Sequence, residues 1–263
     1  MDKEKDSQTD YGSSGKGRLS VVGIGPGALE ELTERARAVL ATADVIVGYT
    51  RYIELIAPLI AEKEIFQTGM TEEVERCREA LEIARGGKRV AVVSSGDSGI
   101  YGMAGLILEL YNAGSDKRDI EIEIVPGVPA FVSAAAVLGA PLMHDFASIS
   151  LSDLLTPWET IKKRLDGAAG ADFVIALYNP RSKRRVTQLP EAIEIITQYR
   201  KAKTPVGIVK DATRRGEQIT ITTLGELDKY FEKIDMSTIL IVGNSSTFQA
   251  GEKIITPRGY RGI

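Results

Sequence analysis

Gly23-Ile24-Gly25-Pro26-Gly27 follows an apolar run at 19–22 and leads into a pattern in which Leu32, Ala36, Val39, Leu40 and Ala43 recur at helical spacing. An apolar strand, a glycine-rich turn and an amphipathic helix form the start of an α/β unit. With Ala28 as the last position, the turn fits the dinucleotide pattern G-x-G-x-x-G/A. Pro26 argues against that use. A phosphate cradle is built from free backbone N–H groups at a helix N-terminus, and proline removes one of them and stiffens the turn. The acidic partner that would reach a ribose is also misplaced: Asp44 precedes the second apolar run, 45–47, and that run ends in Gly48-Tyr49-Thr50-Arg51 without a carboxylate. The turn approaches a small molecule closely, but not through its phosphates.

Strand and helix patterns continue to alternate outward from this turn. A helix over 71–84 leads to a third strand at 90–93; a helix over 102–112 precedes a strand at 120–125 in which Ile and Glu alternate. Such alternation implies crossover units and a mainly parallel sheet. From about residue 145 the pattern restarts, with strands at 173–177, 206–209, 218–222 and 238–242 and helices at 158–165, 190–199 and 224–231. The close succession of two strands after Pro205 predicts some antiparallel pairing. The expected architecture is α/β, with a tail over 1–17, an N-terminal domain over 18–143 and a C-terminal domain over 144–263. A ligand cleft is expected between the two domains.

Composition narrows the classes. Apolar content of 43% and charged content of 26% are those of a globular protein, and a net charge of −3 gives no bulk attraction to nucleic acid. The single cysteine, Cys77, excludes a disulfide framework and reads as a helix-surface or half-buried residue. With one His and one Cys there is no metal-ligand spacing, and neither a Walker loop nor a Gly-x-Ser-x-Gly elbow occurs. Residues 1–17 are polar and expected to be disordered. Residues 124–143 carry no charge over a membrane-spanning length, but Pro126, Gly127, Pro129, Gly139 and Pro141 make them a strand end, a turn and a buried helix. The expected location is cytoplasmic, with no membrane or nucleic-acid partner.

Ligands of open α/β sheets collect at the carboxyl ends of strands. After the strand at 90–93 comes Ser94-Ser95-Gly96-Asp97-Ser98-Gly99-Ile100-Tyr101-Gly102, where Asp97 either serves a ligand and its loop or caps the next helix. Three basic clusters interrupt the acidic chain: Arg181, Lys183, Arg184 and Arg185; Lys210, Arg214 and Arg215; Arg258 and Arg261. The first two follow strand ends and suit a polyanionic small molecule. His144, the only histidine, reads equally as a bridge at the domain junction or as a proton-transfer group.

Together these loops resemble the tetrapyrrole (corrin/porphyrin) methylases, from Arg18 to the C-terminus. The general marks are the 23–27 loop, Ser95-Gly96-Asp97 and Val125-Pro126-Gly127. Ser150-Leu151-Ser152-Asp153-Leu154-Leu155-Thr156-Pro157-Trp158, Leu177-Tyr178-Asn179-Pro180-Arg181-Ser182, Val242-Gly243-Asn244-Ser245-Ser246-Thr247 and Thr256-Pro257-Arg258-Gly259-Tyr260 resemble its precorrin-3B C17-methyltransferase branch. The resemblance implies two αβα domains, a homodimer, and S-adenosylmethionine as methyl donor, released as S-adenosylhomocysteine. By matching positions, Pro26, Ser95, Gly96, Asp97, Ile100, Pro129, Ala130, Asn179 and Ala212 would bind that cofactor. Many members have Gly-Asp-Pro in place of Gly96-Asp97-Ser98, and some have Thr for Pro129 and Gly for Ala212. The implied reaction is C17 methylation of a corrin precursor with ring contraction, in cobalamin biosynthesis. His144, Asp145, Ser152 and Asp153 are the candidates for its proton transfers. Lys183, Arg184, Arg214 and Arg215 are the candidates for the substrate's carboxylates, with precorrin-3B and cobalt-factor III both open as substrate.

Overall fold

The computed structural model describes residues 16–114 and 120–260. The tail over 1–17 falls almost entirely outside the described residues, as does Arg261. The chain divides into two compact units, one holding the residues up to Ile24 with Leu32–Gly127, the other Gly25–Glu31 with Val128–Ile263.

The first unit runs β1 (Arg18–Gly23), α1 (Glu34–Thr42), β2 (Val45–Tyr49), α2 (Thr50–Leu55), β3 (Glu64–Thr68), α3 (Glu73–Arg85), β4 (Arg89–Ser94), α4 (Ala104–Ala113) and β5 (Glu121–Val125). Its sheet has the order β3-β2-β4-β1-β5, parallel throughout. Thr33 begins α1 by accepting the Ala36 N–H on its hydroxyl at 3.1 Å. One core forms where Leu19, Val21, Val45, Val47, Val90 and Val92 meet Cys77, Ala80, Leu81 and Ala84 of α3 and Ile107 of α4. Cys77 therefore corrects its expected place at or near the helix surface: it is fully buried, and burial pushes its thiol up to about 11. The sheet's first and fourth strands are neighbours, and their connections leave in opposite directions across it. Gly23, Ser94 and Val125 consequently end side by side at the switch point.

The second unit contains α5 (Ala130–Leu138), β6 (Gly139–Ala140), β7 (Phe146–Ser150), α6 (Trp158–Gly170), β8 (Val174–Tyr178), α7 (Gln188–Thr197), β9 (Pro205–Lys210), β10 (Gln218–Thr223), β11 (Thr238–Val242), β12 (Phe248–Ala250) and β13 (Lys253–Ile255). Its main sheet has the order β10-β9-β11-β8-β7. β7 and β8 are parallel, while β11 runs antiparallel to β8 and β9, and β10 antiparallel to β9. The predicted antiparallel pair after Pro205 is thus β9 with β10. One face is packed by α6 and α7 through Ile161, Leu165, Leu189, Ile193 and Ile196. Against the other lies α5, where a Cβ on Gly207 would strike the Leu138 side chain.

Several elements differ from expectation. β3 reads Glu-Ile-Phe-Gln-Thr at a mostly exposed sheet edge, so it lacks the apolar run of a central strand. β7 was hidden by its two serines, and the short strands β12 and β13 by their length. The helix expected over 224–231 is a 3-10 helix, Leu224–Lys233, that buries Leu224 and Leu227 at three-residue spacing.

Candidate functional site

Three loops meet at the carboxyl edge of the first sheet, and they meet through glycine backbone. A Cβ on Gly23 would stand 2.6 Å from the Gly127 nitrogen and 2.8 Å from the Gly96 carbonyl oxygen. Asp97 fastens this junction: Oδ1 accepts the Gly99 N–H at 2.8 Å and Oδ2 the Gly127 N–H at 3.1 Å. The capping reading is corrected, because α4 starts only at Ala104 and Met103 precedes it without a side-chain cap. Ser98 is fully buried and shares its hydroxyl proton between the Val21 and Val125 carbonyls, both at 3.3 Å. Asp97 is therefore a loop organiser. Asp97→Asn turns one acceptor into an NH2 that faces the Gly127 N–H, so unfolding free energy should fall by about 1–2 kcal/mol in a urea titration.

Asp44 lies at the other edge of that sheet. Its carboxylate forks onto Arg89 at 2.6 Å and is held below the usual carboxylate range by that hydrogen bond. It is remote from the strand ends where a ribose would lie, so the dinucleotide pattern has no acidic partner.

The second sheet presents its own carboxyl edge, formed by the ends of β7, β8 and β9. Asn179, immediately after β8, has a left-handed backbone (φ 50°) and donates its side-chain amide to Ser150 Oγ at 3.0 Å. Tyr178 accepts the Phe131 N–H on its hydroxyl at 3.2 Å, securing the first turn of α5 that contains Ala130 and follows Pro129. After β9 come Asp211 (φ 49°), buried Ala212 and Thr213 (φ 63°), a backbone that non-glycine residues rarely adopt. Thr213 Oγ1 is buried without a hydrogen-bond partner. Strain and an orphaned hydroxyl beside Ala212 are features that a bound ligand exploits. Of the residues assigned to the methyl donor, Pro26, Pro129, Ala130, Asn179 and Ala212 lie in this second unit, and Ser95, Gly96, Asp97 and Ile100 in the first.

The glycine turn belongs to this second unit. Arg214 Nε donates to the Pro26 carbonyl, and a Cβ on Gly27 (φ 151°) would overlap Cγ of Arg214 and stand 2.6 Å from its Nε. Arg214 also faces Asp211 at 3.7 Å. This guanidinium, a candidate for the substrate's carboxylates, clamps the turn through Nε. Other cations are likewise engaged. Arg181 pairs with Glu232 at 2.8 Å, Lys210 with Asp235 at 2.6 Å, and Arg185 is buried, donating to the Asn179 carbonyl. Lys183, Arg184 and Arg215 are exposed and form no ion pair among the described residues.

The four groups assigned to proton transfer are not one constellation. Ser152 and Asp153 follow the carboxyl end of β7; the Ser152 N–H donates to Ser150 Oγ at 3.2 Å, and Asp153 accepts from Gln188 Nε2 at 2.9 Å. His144 and Asp145 precede the same strand, so the length of β7, five residues rising ~3.3 Å each, separates the pairs by roughly 16 Å. Proton transfer needs contact at about 3 Å, so both pairs cannot serve one reacting atom. His144 Nδ1 accepts the Asp145 N–H at 2.9 Å, and both residues line a cavity of about 370 Å³ with Asp172, Phe173, Asn244, Ser245, Pro257 and Arg258. Sequence reasoning missed Ser150, Tyr178 and Thr213, whose roles come from orientation at strand ends. Ser150 and Tyr178 stand in segments that the family resemblance marks, and Thr213 carries no such signal.

A family of enzymes that transfer methyl groups to tetrapyrroles shares this pair of α/β units. The sequence model of the Tetrapyrrole (Corrin/Porphyrin) Methylases matches residues 18–228, and the chain belongs to that family. A "Cobalt-factor III methyltransferase" of Priestia megaterium is 50% identical over 94% of this chain, which spans 46% of that protein. A "Probable cobalt-factor III C(17)-methyltransferase" of Salmonella typhimurium is 50% identical over 92% of this chain and 99% of its own length. A "Precorrin-3B C(17)-methyltransferase" of Sinorhizobium is 40% identical over 94% of this chain and 98% of its own. Among solved structures, the methyltransferase CobJ superposes with a TM-score of 0.87 at 40% identity, covering 92% of this chain and 100% of that one. Among the described residues no helix is long and apolar enough to cross a membrane, and no cluster of His, Cys, Asp or Glu is arranged to hold a metal ion.

Proposed function

We propose that the chain methylates C17 of a corrin precursor, with ring contraction, using S-adenosylmethionine. The observation that carries this reading is the 50% identity to a cobalt-factor III C17-methyltransferase along nearly the whole of both chains. Cobalt-factor III is the first choice of substrate, because relatives bearing that name are closer to this chain than the precorrin-3B enzyme at 40%. Cytoplasmic placement and a homodimer belong to the same proposal.

S-Adenosylmethionine supplies a methyl group on a sulfonium, and the leaving thioether is neutral. Acid catalysis of departure is therefore unnecessary, and positioning dominates. The loops answer that demand. Asp97 fixes the Ser95–Gly96 backbone against Gly127; Tyr178 and Ser150 fix Ala130 and Asn179; Arg214 fixes Pro26. Ring contraction also requires proton transfer, for which Ser152 and Asp153 remain the candidates because they share an edge with Asn179. Lys183, Arg184 and Arg215 provide cations for the acetate and propionate groups of the macrocycle.

Titration calorimetry with S-adenosylhomocysteine tests the cofactor, and incubation with each tetrapyrrole plus the methyl donor, followed by mass and absorption spectrum, tests the reaction. No heat of binding would overturn the reading. His144→Ala is expected to give the same methylated, contracted product as the parent, since His144 lies at the far end of β7. Accumulation of a methylated but uncontracted macrocycle would return His144 to the mechanism.

A further inference from the structure

The loop 151–157 carries two side chains that the fold leaves in water. Leu154 is 78% exposed and Leu155 98% exposed. Single exposed leucines are ordinary on protein surfaces, but two in succession at a candidate ligand edge form an unburied apolar step. The loop is anchored on both sides. Leu151 N donates to the Tyr178 carbonyl at 2.9 Å, Asp153 accepts from Gln188 at 2.9 Å, and Trp158 Nε1 donates to Glu191 at 2.6 Å. Its partners Gln188 and Glu191 lie in the first turn of α7, directly after the segment that holds Lys183 and Arg184. The leucine step and the exposed cations thus belong to adjacent loops, one after β7 and one after its neighbour β8.

We propose that Leu154 and Leu155 form a rest for the face of the tetrapyrrole ring, while Lys183 and Arg184 take the carboxylates at its rim. This deepens the proposed function and rests on it. The ligand chemistry follows from the pairing of surfaces. A corrin precursor is broad and apolar across the ring and anionic around the edge, so a complementary surface needs an apolar step flanked by cations with no carboxylate of their own.

Two double variants test this, Leu154→Ser with Leu155→Ser, and Lys183→Gln with Arg184→Gln. Each is expected to raise KM for the tetrapyrrole at least about tenfold, from lost apolar burial or lost charge pairing. Affinity for S-adenosylhomocysteine should stay unchanged, and kcat should stay within about twofold. Methionine at both leucine positions should restore KM, because it presents a similar apolar area. Salt should raise the parent's KM more than that of the Lys183/Arg184 variant. An unchanged KM in the leucine variant overturns the proposal, and so does an altered oligomeric state with KM intact, which would assign the step to a second copy. A parent chain that binds S-adenosylhomocysteine but methylates neither tetrapyrrole overturns the substrate reading instead, and this inference falls with it.

Discussion

Gly127→Ala should both unfold the first unit's ligand edge and abolish binding of S-adenosylhomocysteine. The new Cβ would overlap the carbonyl oxygen of Gly96 and stand 2.7 Å from the carbonyl carbon and oxygen of Gly23. All of these atoms are backbone at strand ends, so no side chain can swing aside to make room. Relief requires that β1, β4 or β5 shift, which also breaks the Asp97 bond to the Gly127 N–H. A loss of about 3 kcal/mol is expected, at the upper end of overpacking costs. The measurement is a urea unfolding curve together with calorimetry. Gly105→Ala is the control, since Gly105 is exposed within α4 and nothing lies within 4 Å of its added Cβ. That change should stabilise by up to about 1 kcal/mol by lowering the entropy of the unfolded chain. Similar behaviour of the two variants would refute the assignment of Gly127.

Arg200→Met is the largest loss expected in the second unit. The Arg200 side chain is 2% exposed, and its guanidinium gathers the carbonyls of Ala169, Phe173 and Gly243 at 2.7, 3.0 and 3.3 Å, with Asp172 at 3.1 Å. Burial lowers the pKa of the guanidinium, Asp172 opposes that shift, and the side chain remains charged in its fork of acceptors. Methionine fills comparable volume but donates nothing, so these carbonyls lose the guanidinium together, while Asp172 keeps the N–H and hydroxyl of Ser245. The expected cost is about 3–5 kcal/mol. Lysine should recover little, because an ammonium cannot reach diverging acceptors from one plane. A urea midpoint close to the parent's would show that water takes over these bonds.

The sequence was most informative where apolar periodicity was strong. The buried strands β1, β2, β4, β8, β9 and β11 were all visible as largely apolar runs, with small residues such as Ser20 and Gly207 among them, since burial on both faces excludes most polar side chains. β3 escaped because its exposed edge position relaxes that requirement, and β7 because serines occupy part of its pleat. Motif reading located Ser95–Asp97, Asn179 and Ala212, and the structure puts them at carboxyl strand ends. Charge, by contrast, says little about partners. Arg181, Arg185, Lys210 and Arg214 read like a polyanion site, yet each is spent on a carboxylate or carbonyl within the protein. A cation's partner is a fact of tertiary structure, and spacing along the chain does not encode it. Nor does sequence order show that His144 and Asp145 are separated from Ser152 and Asp153 by the length of β7.

Gly25–Glu31, although it directly follows the first strand, packs as part of the second unit, with Arg214 on the carbonyl of Pro26. That contact closes a loop of 188 residues. At a synthesis rate of about 5–20 residues per second, the turn waits roughly 10–40 s for the arginine that will hold it. Pro26 and its neighbouring glycines therefore reach their final place among the last acts of folding, though they emerge among the first residues. Nor can a cut at 127/128 release two complete pieces. The front piece would keep a turn with nothing to clamp it, and the back piece an arginine without its acceptor.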